Sequence, residues 1–118
     1  MENLSGPAIF VLAESARETA EKLRASIPGA EIHGLSRRVS AADVYFENSA
    51  AHLYRLHRSG REIVGVCAAA ILIRALAPAL SEKTSEPGVV AVSENGRFAV
   101  PLLGGHRGAN RRAREIAG

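Results

Sequence analysis

The feature that most constrains how this chain can fold is a set of three short, continuous apolar runs. The runs span 8–13, 63–67 and 89–92. Continuous apolar runs of this length are typical of strands that are covered on both faces of a parallel sheet. We therefore predict an α/β fold with a mainly parallel, three-layer sheet of the Rossmann-like or flavodoxin-like kind.

A single domain covering 1–118 is predicted. The 118 residues lie within the usual size of one domain, and 47% hydrophobic with 23% charged residues supply both a core and a solvated surface. Cys67 is the one cysteine, so no intrachain disulfide can form. This cysteine usage favours a cytoplasmic location.

Helices are predicted between the apolar runs. Ser15 and Glu18 have the spacing of a capping box at the start of the first helix. Apolar residues at helical spacing predict a second helix over 46–60. The segment 68–77 is apolar nearly all round, so we expect a helix that is internal. A last helix is expected to run from about 110 towards 117.

A hairpin is predicted late in the chain. Asn95 and Gly96 lie between the run 89–92 and the segment 97–100, and both residue types tolerate the positive φ of a tight turn. These two strands are therefore expected to be antiparallel neighbours. A further short strand is expected at 30–33.

The loops that follow Ala13, Cys67 and Leu103 are the predicted places for a ligand, because open α/β sheets bind ligands beyond the carboxyl ends of their strands. We expect these strand-to-helix loops to gather at that one edge of the sheet. The loop 104–110 is the most specific of them, since three glycines surround His106. Glycine lets a bound group approach the backbone, and the helix behind offers free N–H groups. His106 could transfer a proton near neutral pH. The alternative is a tight turn whose histidine only bonds the backbone.

Cys67, Arg74 and Lys83 each have a structural and a functional interpretation. Cys67 ends a strand, where nucleophiles often stand, but a buried cysteine is more often an apolar filler. Arg74 on an apolar helix needs a carboxylate, a carbonyl or a ligand, and a partner inside the fold is favoured. Lys83, in a polar loop, would ordinarily be a solvated charge.

Metal and membrane sites are not expected. His33, His52 and His57 have no recognised ligand spacing with a cysteine or an acid, so no metal site is predicted. The apolar stretch 63–80 contains Arg74 near its centre, which would cost about 2.5 to 3.5 kcal/mol in a bilayer. A strand followed by a helix is the better interpretation of this stretch.

Positive charge is concentrated near the carboxyl terminus. The formal net charge is +3, and the cluster consists of Arg107, Arg111, Arg112 and Arg114. Charge alone leaves nucleic acid, a membrane surface and a small polycarboxylate open as partners. Two Tyr, three Phe and no Trp offer little stacking for bases, so nucleic acid is disfavoured.

Two motifs occur together in the second half of the chain. One is IVGVCAAAILIR at 63–74, which continues into LAP at 76–78, and the other is PLLGGHRGAN at 101–110, with Lys83 and Pro87 between them. This combination resembles the N-terminal domain of CbiG-type cobalamin biosynthesis proteins. The resemblance covers nearly the whole chain and is strongest after Glu62.

The resemblance implies hydrolysis of the ring-A δ-lactone of cobalt-precorrin-5A with release of acetaldehyde. No cofactor is implied, because the substrate carries the cobalt. His106 is implied as the acid or base. Substrate binding is implied for Arg74, Lys83, Gly104, Gly105, Arg107, Gly108 and Asn110.

Two alternatives to a hydrolase domain stay open. One is a non-catalytic corrin-binding or accessory domain, including one fused to a precorrin-3B methyltransferase. The other is an anion-binding α/β module unrelated to corrins. For the corrin interpretations, the expected partners are a corrin intermediate and the remaining CbiG-type or methyltransferase domains, with no nucleic acid and no membrane.

Overall fold

Six strands form one sheet in the part of the chain that the computed structural model describes, which is 6–79, 87–104 and 108–117. The order across the sheet is β3-β2-β1-β4-β5-β6. All neighbouring pairs are parallel except β5 and β6, which are antiparallel. The strands are β1 Ala8–Val11, β2 Glu31–Leu35, β3 Val44–Phe46, β4 Ile63–Val66, β5 Val89–Val92 and β6 Ala99–Leu103.

Helices cover both faces of this sheet. They are α1 Arg17–Ser26, α2 Ser49–Arg58, α3 Ala69–Leu76 and α4 Ala109–Ala117, with 3-10 turns at Glu14–Ala16 and Ala77–Ala79. α1 and α4 pack on one face, and α2 and α3 pack on the other. The predicted three-layer, mainly parallel α/β fold with a late hairpin is confirmed, and its strand order is that of doubly wound dinucleotide-binding folds.

The central strands are buried on both faces, as their unbroken apolar runs predict. Every residue of β1, β4 and β5 is buried. In β1, Ile9 and Val11 contribute to the core under α1 and α4, and Phe10 contributes to the core under α2 and α3. Successive side chains of a strand point to opposite faces, so each central strand supplies both cores.

The predicted capping box at the first helix is wrong. The residue before α1 is Ala16, which makes no side-chain cap. The Ser15 hydroxyl instead donates to Glu94 Oε1 at 2.9 Å. Because 14–16 form a separate 3-10 turn, Ser15 lies one residue before the N-cap position of α1, and its hydroxyl bonds to the loop after β5.

The predicted start of the second helix at 46 is also wrong. Phe46 belongs to the edge strand β3, and its ring stacks between those of Phe10 and His52, with centroids 4.9 and 4.7 Å away. α2 begins at Ser49, because the Asn48 side chain accepts a hydrogen bond from the Ala51 N–H at 2.9 Å. The apolar spacing runs on through Phe46, but the cap determines where the helix begins.

Helix α3 is not internal, contrary to its sequence pattern. Of its residues, Leu72 and Leu76 are buried, whereas Ile73 is 53% and Ile71 is 38% exposed. Gly65 allows the close approach of this helix, since a Cβ there would lie 2.7 Å from Leu72 Cδ1. A helix on the outside of a sheet buries one face only, so the remaining apolar side chains of α3 stay on the surface.

The hairpin between β5 and β6 has a longer loop than the sequence predicts. Gly96 has the expected positive φ of 77°, but β6 begins at Ala99 and not at 97. The Ser93 N–H donates to the Phe98 carbonyl at 3.0 Å, which closes a loop over 94–97. The Asn95 side chain accepts from the Arg97 N–H at 2.9 Å and so stabilises this loop.

Two buried histidines join β2 to α2. His33 Nδ1 and His52 Nε2 are 2.8 Å apart, and the rings are 4% and 9% exposed. Burial lowers the pKa of both imidazoles, that of His52 to about 4. Glu31 Oε1 lies 3.4 Å from the other nitrogen of His33 and also accepts from Arg61 at 3.0 Å. At neutral pH both rings are therefore uncharged, and one nitrogen donates to the other.

This histidine pair predicts a loss of stability between about pH 6.5 and pH 5. The unfolded imidazoles bind more protons there than the folded ones, whose pKa values are lowered, so acid favours unfolding. We expect the free energy of unfolding to fall by about 1 to 2 kcal/mol over this range. Urea titrations at pH 8, 6.5 and 5 measure it.

The substitution His52→Phe should reduce this acid sensitivity by at least half, because it keeps the ring stacked on Phe46 and removes one titrating group. The carboxylates contribute little in this window, which lies above their ordinary pKa values. Equal slopes of unfolding free energy against pH in both proteins would show that the pair does not control the acid response.

Candidate functional site

The direction of β6 determines which edge of the sheet the glycine-rich loop joins. Leu103, the last residue of β6, pairs with Val89, the first residue of β5. The carboxyl end of β6 therefore lies at the edge where the parallel strands begin. The loops after Ala13 and Cys67 follow β1 and β4 at the opposite edge. The expectation that all three loops share one edge is wrong for the loop after Leu103.

Gly104 places the backbone after β6 directly against the backbone before β5. Its φ is 72°, and a Cβ there would lie 2.5 Å from the Pro87 carbonyl oxygen and 2.8 Å from Gly88 Cα. A neighbouring backbone cannot move away as a flexible side chain can. This position therefore requires glycine for its positive φ and for the close approach.

The start of α4 also lies against the backbone that leads into β5. The Ala109 N–H donates to the Gly104 carbonyl at 3.2 Å, and a Cβ on Gly88 would lie 3.5 Å from Ala109 Cβ. Gly108 has a φ of 106°, and its carbonyl accepts from the Arg112 N–H at 2.9 Å. The two ends of the glycine-rich loop thus meet beside Gly88, at the amino-terminal edge of β5.

Four of the predicted site residues lie outside the described residues. They are Lys83, Gly105, His106 and Arg107. The described residues next to these segments are in contact. Pro87, which follows the segment 80–86, lies against Gly104, which precedes the segment 105–107. Asn110 is exposed in the first turn of α4. The fold therefore brings together the flanks of the two segments that the sequence selects.

Arg74 is separate from this contact. It is exposed in the second half of α3 and lines a shallow hollow between α2 and α3, together with Ser49, Ala50, Leu53, Ile71 and Ala75. No carboxylate lines this hollow, and within 6–79, 87–104 and 108–117 Arg74 makes no ion pair. The sequence favours a partner for Arg74 inside the fold, but these segments supply no ion-pair partner for it.

Cys67 is poorly suited to act as a nucleophile. It is half-buried at the end of β4, next to the core under α3. Burial raises the pKa of its thiol to about 12, and the nearby Glu94 carboxylate acts in the same direction. The thiol is therefore protonated at neutral pH, and its role as an apolar filler is favoured.

The arginines of α4 have different roles. Arg112 forms a bidentate ion pair with Glu62, at 2.7 Å to Oε2 and 3.0 Å to Oε1. This pair, which raises the pKa of Arg112, fixes α4 to the chain just before β4. Arg111 and Arg114 are exposed, and Arg111 lies 3.9 Å from Glu115. Within α4, the basic cluster thus divides into one structural residue and two exposed charges.

An apolar groove that the sequence does not indicate lies between α3 and the hairpin. Its volume is about 250 Å³, and we call it the α3–β6 groove. Among the described residues its lining is aliphatic and consists of Leu72, Ile73, Leu76, Val89, Leu102 and Leu103. Leu103 immediately precedes Gly104, so the groove opens beside the backbone contact described above. Such a groove can accept an apolar group but offers it no side-chain hydrogen bond.

The described segments carry no feature of a membrane span or a metal centre. None of their helices has both the length and the apolar character needed to cross a membrane. Nor do they contain three His, Cys, Asp or Glu side chains grouped so that they could hold a metal ion.

The sheet order, the two covered faces and the glycine contact define a doubly wound α/β domain with one reversed edge strand. Residues 51–118 match the family model described as Cobalamin synthesis G N-terminal. Because this match spans more than half of the chain, the chain belongs to that family, and its role lies in cobalamin biosynthesis. The resemblance to CbiG-type proteins is confirmed.

The chain spans only part of the length of two relatives. The cobalt-precorrin-5A hydrolase of Salmonella typhimurium strain LT2 is 35% identical over 74 residues, which are 62% of this chain and 20% of that protein. The crystal structure of a cobalamin biosynthesis protein G homolog from Sulfolobus solfataricus is 26% identical with a TM-score of 0.66. The match covers 95% of this chain and 33% of the Sulfolobus chain.

The glycine contact predicts a large cost for Gly104→Ala. The matched control is Gly60→Ala, because Gly60 has a similar φ of 86° but a Cβ there would meet no atom within 4 Å. Gly60→Ala should cost about 1 to 2 kcal/mol from backbone strain alone. Gly104→Ala should cost clearly more, since Pro87 and Gly88 must also move. Equal losses of unfolding free energy, measured by urea titration, would contradict the contact.

Proposed function

We propose that this chain supplies the N-terminal domain for hydrolysis of the ring-A δ-lactone of cobalt-precorrin-5A, with release of acetaldehyde. The observation that carries the proposal is the family match over 51–118, because this region contains every residue assigned to the site. The name of the Salmonella relative supports the reaction. The contact of Gly104 with Pro87 and Gly88 supports a common site for the two flanked segments.

The lactone step needs a base, an acid and a stabilised oxyanion. A water oxygen forms a bond to the acyl carbon and loses a proton, and the ester C–O bond breaks. The C–C bond that joins the released alkoxide carbon to the macrocycle then breaks, so that the alkoxide becomes the carbonyl group of acetaldehyde. The electron pair of that bond stays on the ring system, which takes up a proton. We assign both proton transfers to His106, whose side-chain type titrates near neutral pH. No metal or cofactor of the protein enters these steps.

Backbone donors and cations complete the proposed site. The start of α4 offers free N–H groups and the positive end of a helix dipole. With the N–H groups of Gly105 and Gly108, they would stabilise the oxyanion or a substrate carboxylate. Lys83 and Arg107 would bind the peripheral carboxylates of the corrin. Asn110, exposed in the first turn of α4, would orient the substrate.

A non-catalytic corrin-binding domain is the second candidate function. One observation favours it: the chain covers 20% of the Salmonella hydrolase and 33% of the Sulfolobus homolog, so most of each relative lies outside the match. Catalytic groups could come from that remainder. In this case the partners would be the other CbiG-type domains or a precorrin-3B methyltransferase domain.

His106→Ala tests the proposed catalysis. Turnover of cobalt-precorrin-5A is followed by the acetaldehyde released, using coupled oxidation of NADH by an alcohol dehydrogenase. We expect the rate to fall by about 100- to 10,000-fold, the usual effect of losing an acid or base. The control is Arg114→Ala, which removes an exposed charge from the same helix and should leave the rate unchanged.

The outcomes separate the candidate functions. An undiminished rate in His106→Ala would remove this histidine from the mechanism. Binding of the substrate without turnover by the unaltered chain would establish the accessory function in place of hydrolysis. Absence of both binding and turnover would overturn the proposal for this chain.

A further inference from the structure

We infer that the α3–β6 groove binds an apolar ring edge of the corrin, beside the glycine-rich loop. This inference rests on the proposed function and adds to it a subsite and the part of the substrate that the subsite would hold. None of the residues that line the groove was predicted from the sequence to bind the substrate.

Helix α3 supplies one wall of the groove and has more apolar side chains than the core accepts. Leu72 and Leu76 are fully buried beneath it, whereas Ile73 lines the groove and remains 53% exposed. A single exposed isoleucine is common on a protein surface. An exposed isoleucine at an aliphatic cavity can instead gain contacts from a ligand without any change in the core.

Strand β6 supplies the other wall. Leu102 and Leu103 are half-buried, and α4, the helix that packs most closely on this strand, belongs to the opposite face. Pro101, in the middle of β6, offers no N–H to another strand. A partner strand is therefore disfavoured at this edge, and an occupant is expected to approach the face of the sheet.

The size and chemistry of the groove select the kind of occupant. A volume of about 250 Å³ is too small for a whole corrin but is sufficient for one five-membered ring with its alkyl substituents. The described lining side chains are aliphatic and offer a buried carboxylate no partner, so acidic side chains are expected to remain outside. A corrin fits this requirement, because its rim carries both methyl groups and carboxylate chains.

The position of the groove links it to the proposed chemistry. Leu103 leads directly into Gly104, and Val89 directly follows Gly88. The groove and the backbone contact are therefore continuous along one edge of the sheet. A ring seated in the groove would place a neighbouring ring of the macrocycle beside Gly104, where the glycine-rich loop begins.

Two isoleucines of the same helix provide a matched test. Ile73 lines the α3–β6 groove, whereas Ile71 lines the hollow on the other side of α3. Cobyrinic acid, a cobalt corrin with free carboxylates, is titrated into each protein, and its absorption spectrum reports the Kd. We expect Ile73→Asn to raise the Kd about tenfold or more, and Ile71→Asn to change it less than about twofold.

Three results would overturn the inference. Equal Kd values for the two variants would exclude the groove, while a rate loss in His106→Ala would still support the proposed function. Failure of the unaltered chain to bind cobyrinic acid would exclude the groove as a corrin subsite, while turnover of cobalt-precorrin-5A would still support the proposed function. A dimer in sedimentation that Ile73→Asn converts to a monomer would identify a second copy of this chain as the occupant. Urea unfolding of both variants checks that each is folded.

Discussion

The antiparallel pairing of β6 with β5 is the constraint on which the rest of the structure depends. Because β6 runs against the other strands, Leu103 ends beside Val89 and the glycine-rich loop joins the edge where the parallel strands begin. Gly104 then contacts Pro87 and Gly88 through the backbone. A parallel sixth strand would have placed the same loop at the opposite edge, far from the segment that leads into β5.

The incomplete covering of β6 explains the apolar groove. In the described segments each face of the six-stranded sheet carries two helices, and β6 is covered by α4 on one face but only partly covered on the face of α3. On the face of α2 and α3, Leu102 and Leu103 of β6 remain half-buried. α3 adds Ile73 to the same space. The groove is thus a consequence of helix placement, and it lies at the edge to which the reversed strand brings the glycine-rich loop.

Local features of this fold could be predicted from the sequence. The buried strands β1, β4 and β5 are recognisable because a short, unbroken apolar run is typical of a strand that is covered on both faces. Phe46 could not be assigned to a strand, because β3 has three residues and its apolar spacing continues that of α2. The exposure of Ile73 could not be predicted either, since it depends on which neighbours cover α3.

In the candidate site, too, the local features could be predicted from the sequence, whereas the position of the site depends on the fold. The glycine-rich loop is recognisable because glycine and histidine have local chemistry of their own. Its edge depends on strand direction, although the hairpin at Asn95 and Gly96 already implies the reversal. The rule that ligands bind at the carboxyl ends applies to parallel strands, and β6 is not one of them. The groove combines residues from α3, β5 and β6, so no single segment indicates it.

The edge at which a corrin binds tests this account most directly. Amide chemical shifts of the isotope-labelled chain, measured by NMR during titration with cobyrinic acid, report the contact residue by residue. The account predicts the largest changes at Val89, Leu103 and Gly104, at the amino-terminal edge of β5. Changes centred on Ala13 and Cys67, beyond the carboxyl ends of β1 and β4, would contradict it.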